Sequence, residues 1–416
     1  MKKYLADLFD ITVGARRFII TEAFFGLSVG IFTMLLNLHL LALNLNEKKI
    51  GEILSTGNLV VGFACIPAVL LANRFGRKVM LSIGAAFMSA GYFLYGFNQE
   101  IWALYFAQII LSCGITFVIT TEIQLLFSYC RSKSEETKCY NLIFATFTLF
   151  VGVGTLIGGY LPQFFSGFTT SYQGPIFCAS FTLFITCILR GTWLPIDPIK
   201  EKLSEVNRNL VHIKDKNRLK QLILFSIFAV LSGMSSGWIL SFLNIIIKFR
   251  LNWPDEKVSY LLSMHGFFLF AGSIFVPYLF HRFGISKSFA YIFITNIILA
   301  FLLSLVLPNS LLIACLLIRG GLTIMMSNMI AGQSMSAIKE NDRNLFAGIW
   351  SIAINLGISV TTFISGIILN EKNYQFSFLC SGILIGITFL YFYYWIKPIL
   401  DQKNVERQEN FVSQGK

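Results

Sequence analysis

A chain of 416 residues with 55% hydrophobic and only 13% charged side chains lacks the polar surface of a soluble domain, in which roughly a quarter of residues are charged. Its 42 phenylalanines and mean hydropathy of +0.69 exclude a water-soluble fold in favour of one solvated by lipid. The net charge of +12 does not mark a nucleic-acid binder, because the basic residues fall in short gaps between apolar runs and form no continuous stripe.

Runs of about 20 apolar residues suffice to cross a hydrocarbon core. They occur near 18–43, 51–72, 79–98, 102–128, 139–162, 175–190, 221–246, 259–280, 289–307, 310–336, 346–369 and 375–396. Each is expected to be helical, since backbone exposed to lipid must satisfy its own hydrogen bonds. The first run is too long for the apolar part of a signal peptide and has no small-residue cleavage site, so it reads as the first span. Eight cysteines (65, 113, 130, 139, 178, 187, 315 and 380) lie in or beside these runs without a Cys-x-x-Cys pair. They read as small buried hydrophobes, with neither a disulfide framework nor a metal site implied.

Lys and Arg set the orientation. With both termini inside, only Lys48, Lys49, Lys248, Arg250, Lys257 and Lys372 of the 33 basic residues fall outside, and Arg319 alone falls within a span. The expected organisation is a six-helix bundle over 1–190, a basic cytoplasmic linker over 191–220, a second six-helix bundle over 221–400 and a cytoplasmic tail over 401–416. The linker reads as solvated chain, or as a segment on anionic headgroups.

The two halves resemble each other. Gly26, Ser28 and Gly30, then Leu36 and Asn37, recur 207 residues later as Gly233, Ser235 and Gly237, then Leu243 and Asn244. Gly114 and Thr116 recur at the same offset as Gly321 and Thr323, and Arg74-Phe75-Gly76 recurs at offset 208 as Arg282-Phe283-Gly284. Parallel repeats of this kind are a recurrent plan of secondary transporters, in which two bundles rock about a central site. The glycines four apart read as close-packing positions. Asn37 and Asn244, beside them, are candidates for the cavity.

The loop after the second span reads Asn73-Arg74-Phe75-Gly76-Arg77-Lys78. Here the sequence resembles the Major Facilitator Superfamily, whose loop between spans two and three reads Gly-x-x-x-Asp-Arg-x-Gly-Arg-Arg/Lys. Arg74, Gly76, Arg77 and Lys78 match; Val69 stands where the family has Gly and Asn73 where it has Asp. Gly76 permits a sharp reversal, and Arg77 and Lys78 can cap helix carboxyl ends. In the family the acidic residue latches one conformation, so Asn73 implies a weaker latch here. The resemblance covers essentially the whole chain and implies twelve helices in two pseudo-symmetric bundles, an all-α membrane fold. Gly154, Gly158 and Gly159 read as small-residue packing positions; they also follow the tail of a pattern seen in exporting members, with Thr155 in place of its Pro and the upstream glycines missing.

Ionisable groups inside a membrane are functional candidates by default. Glu22 in the first span, Glu122 in the fourth and Arg319 in the tenth all fall on spans that the resemblance implies line the cavity. Arg319, about nine residues or 14 Å into its span, lies near mid-membrane and is a candidate for an anionic substrate group or for pairing with a carboxylate. Two neighbouring carboxylates in low dielectric suit proton coupling, although either could pair with Arg74 and its neighbours. His39 and His265 read as packed, hydrogen-bonded histidines. No Walker loop is present, so ATP is not expected to drive the cycle.

The sequence thus reads as a secondary active transporter of a small solute in a bacterial-type cytoplasmic membrane, monomeric, without cofactor or nucleic-acid partner and coupled to an ion gradient, with protons suspected. Efflux of amphipathic compounds leads, uptake of a small anionic metabolite is the alternative, and a sensor without transport is remoter. The short loops lack the clustered catalytic groups of a membrane enzyme.

Overall fold

The computed structural model describes residues 11–196, 216–338 and 343–401. Most of the basic linker and all of the tail after residue 401 lie outside these residues. Twelve helices are long and apolar enough to cross a membrane, and no strand occurs among the described residues.

Helices begin where the polar gaps supply caps. Helix α1 (Val13–Ala42) starts after Thr12, whose hydroxyl accepts from the Ala15 N–H at 3.4 Å. Helix α2 (Glu47–Phe75) starts after Asn46, which accepts from the Lys49 N–H at 2.9 Å. It ends at Gly76, whose φ of 93° is open to glycine and strained for other residues, and α3 (Arg77–Phe97) follows at once. Helix α4 (Ile101–Ser128) leads to α5 (Lys133–Tyr160), capped by Ser132. A 3-10 turn (Leu161–Phe164) precedes α6 (Gln173–Thr192).

The seventh span departs from the uninterrupted run over 221–246 expected from hydropathy. Helix α7 (Lys216–Leu240) stops, the chain turns at Ser241 and Phe242, and a short α8 (Leu243–Leu251) resumes. Neither Gly nor Pro marks this break, and side chains satisfy the backbone around it. Ser365 donates to the Trp238 carbonyl at 2.8 Å, and the Asn244 amide oxygen accepts from the Ile245 N–H at 2.9 Å. Spans eight and nine form one helical run, α9 (Asp255–Leu303), interrupted at Gly284 with φ 74°. Helices α10 (Asn309–Ala337), α11 (Arg343–Asn370) and α12 (Tyr374–Tyr391) follow, the last passing into a π turn over Phe392–Ile396.

The chain divides into two compact units: Met1–Arg208 with Phe242–Phe267, and Asn209–Ser241 with Phe268–Lys416. In unit one α1 packs on α5 and α6, α3 on α4 and α6, and α2 on α4. In unit two α7 packs on α11 and α12. There a phenylalanine core includes Phe289 and Phe392, stacked at 4.2 Å and 3°.

The internal repeat is visible in the packing. A methyl group on Gly26 or Gly30 would collide with the carbonyls of Phe147 or Val151 on α5. At Gly233 and Gly237 it would collide with those of Ile354 and Ile358 on α11, each 207 positions further along. The same helix pair therefore closes to backbone contact in both units, through the same register of glycines. The two loop copies match as well. Gly76 and Gly284 share positive φ, and the guanidiniums of Arg74 and Arg282 lie 5.4 and 5.6 Å from the following Phe75 and Phe283 rings.

Candidate functional site

Helical spacing lines a cavity inside unit one. On α1, Glu22, Phe25, Val29, Phe32 and Leu36 recur at three- and four-residue intervals and so share a face. Gln108, Leu111, Ile115, Val118 and Glu122 do the same on α4, and Tyr140, Phe144 and Phe147 on α5. Leu54 of α2 and Met88 and Tyr92 of α3 complete a cavity of about 560 Å³. Phe32 stacks on Tyr92 at 3.6 Å and 8°, which holds both rings as a rigid wall.

Glu22 and Glu122 are the carboxyls of this cavity, near enough for the charge of one to act on the other. The cation beside Glu22 is Arg190, in place of the Arg74 group open from the sequence. Its Nη2 lies 2.5 Å from the Glu22 carboxylate, and both side chains are almost wholly buried. Arg190 also reaches Thr21 at 3.5 Å and lies 4.6 Å from the Phe25 ring, while its Nη1 has no partner among the described residues. Arg319 is therefore not the sole cation within a span. Sequence reasoning missed Arg190 because it sits where an apolar run meets a basic linker. The signal was that Gly191, Thr192, Trp193 and Leu194 still separate it from Pro195, leaving room for the helix to continue past it.

The other candidates are distributed differently. Arg319 belongs to unit two, on α10. It is buried, donates to the Ser381 hydroxyl on α12 at 2.7 Å, lies 5.8 Å from the Phe378 ring and leaves its Nε without a partner among the described residues. Ser381 in turn donates to the Ser235 carbonyl on α7 at 3.0 Å. Asn37 and Asn244 meet each other: the Asn37 amide donates to the Asn244 amide oxygen at 2.8 Å, and Asn244 donates to the Met34 carbonyl at 3.0 Å. Both are buried, and neither lines the cavity. His39 is held between the Thr170 hydroxyl at 2.8 Å and the Tyr95 carbonyl at 3.0 Å.

In the loop motif, Lys78 donates to the Leu194 carbonyl beyond the end of α6 at 2.6 Å. Arg77 reaches the Gln124 carbonyl near the end of α4 at 3.5 Å. In the second copy Arg282 donates to the Tyr278 hydroxyl at 2.7 Å. Asn73 is exposed.

A further polar cluster joins α8 and α9 to the residue just before α6. Lys248 lies 2.5 Å from Asp255 and 3.2 Å from the Tyr172 hydroxyl, which donates to Asp255 at 2.8 Å. Burial disfavours the Lys248 ammonium, but its hydrogen bond to Asp255 and the nearby Asp255 and Tyr172 outweigh this and raise its pKa. Burial, reinforced by the Asp255 charge, raises that of Tyr172.

Twelve helices long and apolar enough to cross a membrane, a repeated helix-pair geometry and a mainly apolar cavity define a multi-pass membrane carrier. The chain belongs to the Major Facilitator Superfamily, whose family model matches residues 18–341, and it is a transporter and not an enzyme. It is similar to the class B tetracycline resistance protein of Escherichia coli, 23% identical over 46% of this chain and 47% of that one, so the match spans about half the length of that relative. Multidrug resistance protein 2 of Bacillus subtilis is 22% identical over 77% of this chain and 80% of its own. Among solved structures, a bacterial homologue of the human lysosomal transporter Spinster shares the fold, with a TM-score of 0.73 at 10% identity, covering 91% of this chain and 95% of that one.

Proposed function

We propose that the protein exports amphipathic compounds across a bacterial-type cytoplasmic membrane in exchange for protons, as a monomer with both termini inside. The observation that carries this reading is the unit-one cavity. Its volume of about 560 Å³ falls in the range that encloses a drug-sized molecule. Aromatic and aliphatic walls favour an apolar body, while Glu22 and Glu122 offer sites for a proton or for the cationic end of a substrate. The drug-resistance functions named for two distant relatives point the same way.

The test is flux by the purified chain in liposomes, with ethidium, a planar aromatic cation, as the probe. A pH gradient is expected to drive ethidium uphill, and collapsing the gradient to stop it. Ethidium flux indifferent to the gradient would remove proton coupling, and absence of flux across a panel of amphipathic dyes would remove export.

Arg319 supports a second reading, uptake of a small anionic metabolite. A buried guanidinium bonded to a neutral serine, with an unpartnered Nε, is a ready receptor for a carboxylate or phosphate. Gradient-driven uptake of small organic anions, lost in Arg319→Met, would favour it over export.

A further inference from the structure

We infer that Arg190 fixes at one the number of protons held by the unit-one cavity. This rests on reading that cavity as the coupling site, and it goes further by giving the cation behind Glu22 a counting role. Arg190 does not line the cavity and acts through Glu22, so it is a positioning residue.

What matters is charge beside apolar walls, with Glu22 and Arg190 buried and Glu122 half-buried. The groups facing Glu22 are Arg190 from α6 and Glu122 from α4, while α3 and α5 bring to the cavity the phenols of Tyr92 and Tyr140. Leu54 is the contribution of α2. The Arg190 guanidinium is a cation by its chemistry, and it is fully buried between Glu22, Thr21 and the Phe25 ring. With both carboxyls ionised the set carries one net negative charge, and with both protonated one net positive charge. A single proton, shared between Glu22 and Glu122, makes it neutral. Apolar walls penalise any net charge, so the one-proton state is the resting state. The proton enters as one O–H bond on a carboxylate oxygen and leaves when that bond breaks to water.

The same rule gives a result that two independent carboxyls would not. Glu122→Gln leaves Arg190 opposite Glu22 alone, a neutral pair that needs no proton. Neutralising one carboxyl therefore empties the site of its proton instead of leaving the other carboxyl protonated. Arg190→Met removes the fixed cation, and neutrality then requires two protons.

The experiment is infrared spectroscopy of the full chain in lipid nanodiscs near neutral pH, reading the carbonyl stretch of protonated carboxylic acids. The part of that band absent from the Glu22→Gln/Glu122→Gln double variant belongs to the site. The expected amplitudes are one carboxyl in the wild type and in Arg190→Lys, none in Glu122→Gln, and a doubling in Arg190→Met. A residual band in Glu122→Gln overturns the inference, as does an Arg190→Met band equal to wild type or an Arg190→Lys band equal to that of Arg190→Met. If Arg190→Met does not fold, Glu122→Gln decides alone, because there the Arg190–Glu22 pair stays intact. Ethidium flux separates the two levels. Bands as expected without gradient-driven flux would uphold the proton count and remove the coupling reading. Flux lost in Glu122→Gln with an undiminished band would uphold coupling and overturn the count.

Discussion

The two units share a scaffold and differ in what they bury. At offset 207, Glu22 of α1 corresponds to Ala229 of α7, and Glu122 of α4 to Met329 of α10. Both counterparts are buried in the apolar core of unit two. Conversely, Ser112 of unit one, bonded to Gln108 at 3.4 Å, corresponds to Arg319. One unit thus holds two carboxyls balanced in part by Arg190, and the other holds a guanidinium bonded to a serine. Repetition preserved the helix contacts, which depend on glycine register. The polar groups diverged because a buried charge is tolerated wherever partners or function offset its cost. On the function proposed above, proton chemistry belongs to unit one, and unit two serves as framework or anion receptor.

The largest expected effect tests the shared scaffold. Gly30→Val and Gly237→Val each drive a side chain into a carbonyl of the partner helix. Backbone cannot rotate away as a side chain would, so the cost exceeds the typical ~1–3 kcal/mol of an overpacked core. Both variants should fail to give monodisperse protein in detergent, to a similar extent. A well-folded Gly237→Val beside a lost Gly30→Val would show that the two contacts are not equivalent.

Next comes the division of labour. Glu122→Gln should lower pH-gradient-driven ethidium flux at least about tenfold, a typical contribution of a proton-transfer group being ~100-fold or more. Arg319→Met should leave that flux within about twofold. It loses one hydrogen bond to Ser381 but also relieves a buried cation of its desolvation, so stability should move by no more than ~1 kcal/mol. Equal loss of flux in both variants would erase the contrast between the units.

How much of this was legible beforehand follows the range of the interactions involved. Span positions, the glycine register and the Gly76 turn rest on local pattern, and all were readable in the sequence. The meeting of Asn37 with Asn244 was half-readable: the repeat named both residues, but nothing in one chain order says that repeat mates touch. The Arg190–Glu22 pair joins residues 168 positions apart, and hydropathy had left Arg190 at the edge of a basic segment. The break at Ser241 has no Gly or Pro signal because distant side chains sustain it. Tertiary contacts wrote these features, and a one-dimensional pattern does not carry them.

Unit one also includes the Phe242–Phe267 segment, held in part by Lys248, Asp255 and Tyr172. Weakening the cluster should loosen the segment and spare the α7–α11 contact. Asp255→Asn is expected to cost up to ~1 kcal/mol, since the pair is only partly buried. A Lys248 pKa raised above its ordinary 10.5 means that the pair contributes fully below that value and is lost as pH rises through the folded one. The raised Tyr172 pKa acts in the same direction, because its neutral hydroxyl is the form that donates to Asp255. Amide protection in 242–267, the intrinsic exchange rate at each pH divided by the observed one, should therefore stay flat from pH 6 to 9 and fall in strong alkali, and Asp255→Asn should abolish that alkaline step. An equal alkaline step in the variant would dissociate the segment from the cluster.

The smallest effect concerns the loop motif, where the copies differ at Asn73 and its counterpart His281. The unit-one turn is already fastened by Lys78 on the Leu194 carbonyl and by Arg77 near Gln124, so an added charge acts on an existing anchor. Asn73→Asp supplies the acidic group that the family resemblance places there, and a carboxylate beside helix-end N–H groups is worth ~0.3–1 kcal/mol. That converts to a roughly two- to fivefold change in the balance of conformations. A cysteine introduced by Thr33→Cys, on the α1 face that borders the cavity, would report it through its rate of alkylation by a membrane-impermeant maleimide applied to one side at a time. Asn73→Asp should slow labelling from the inside relative to the outside by that factor, and His281→Asp should shift it less, because Arg282 beside it is engaged by Tyr278. Identical inside-to-outside ratios in Asn73→Asp and its parent would mean that the departure at position 73 does not weaken the latch. A larger shift from His281→Asp would move the latch from the first copy of the motif to the second.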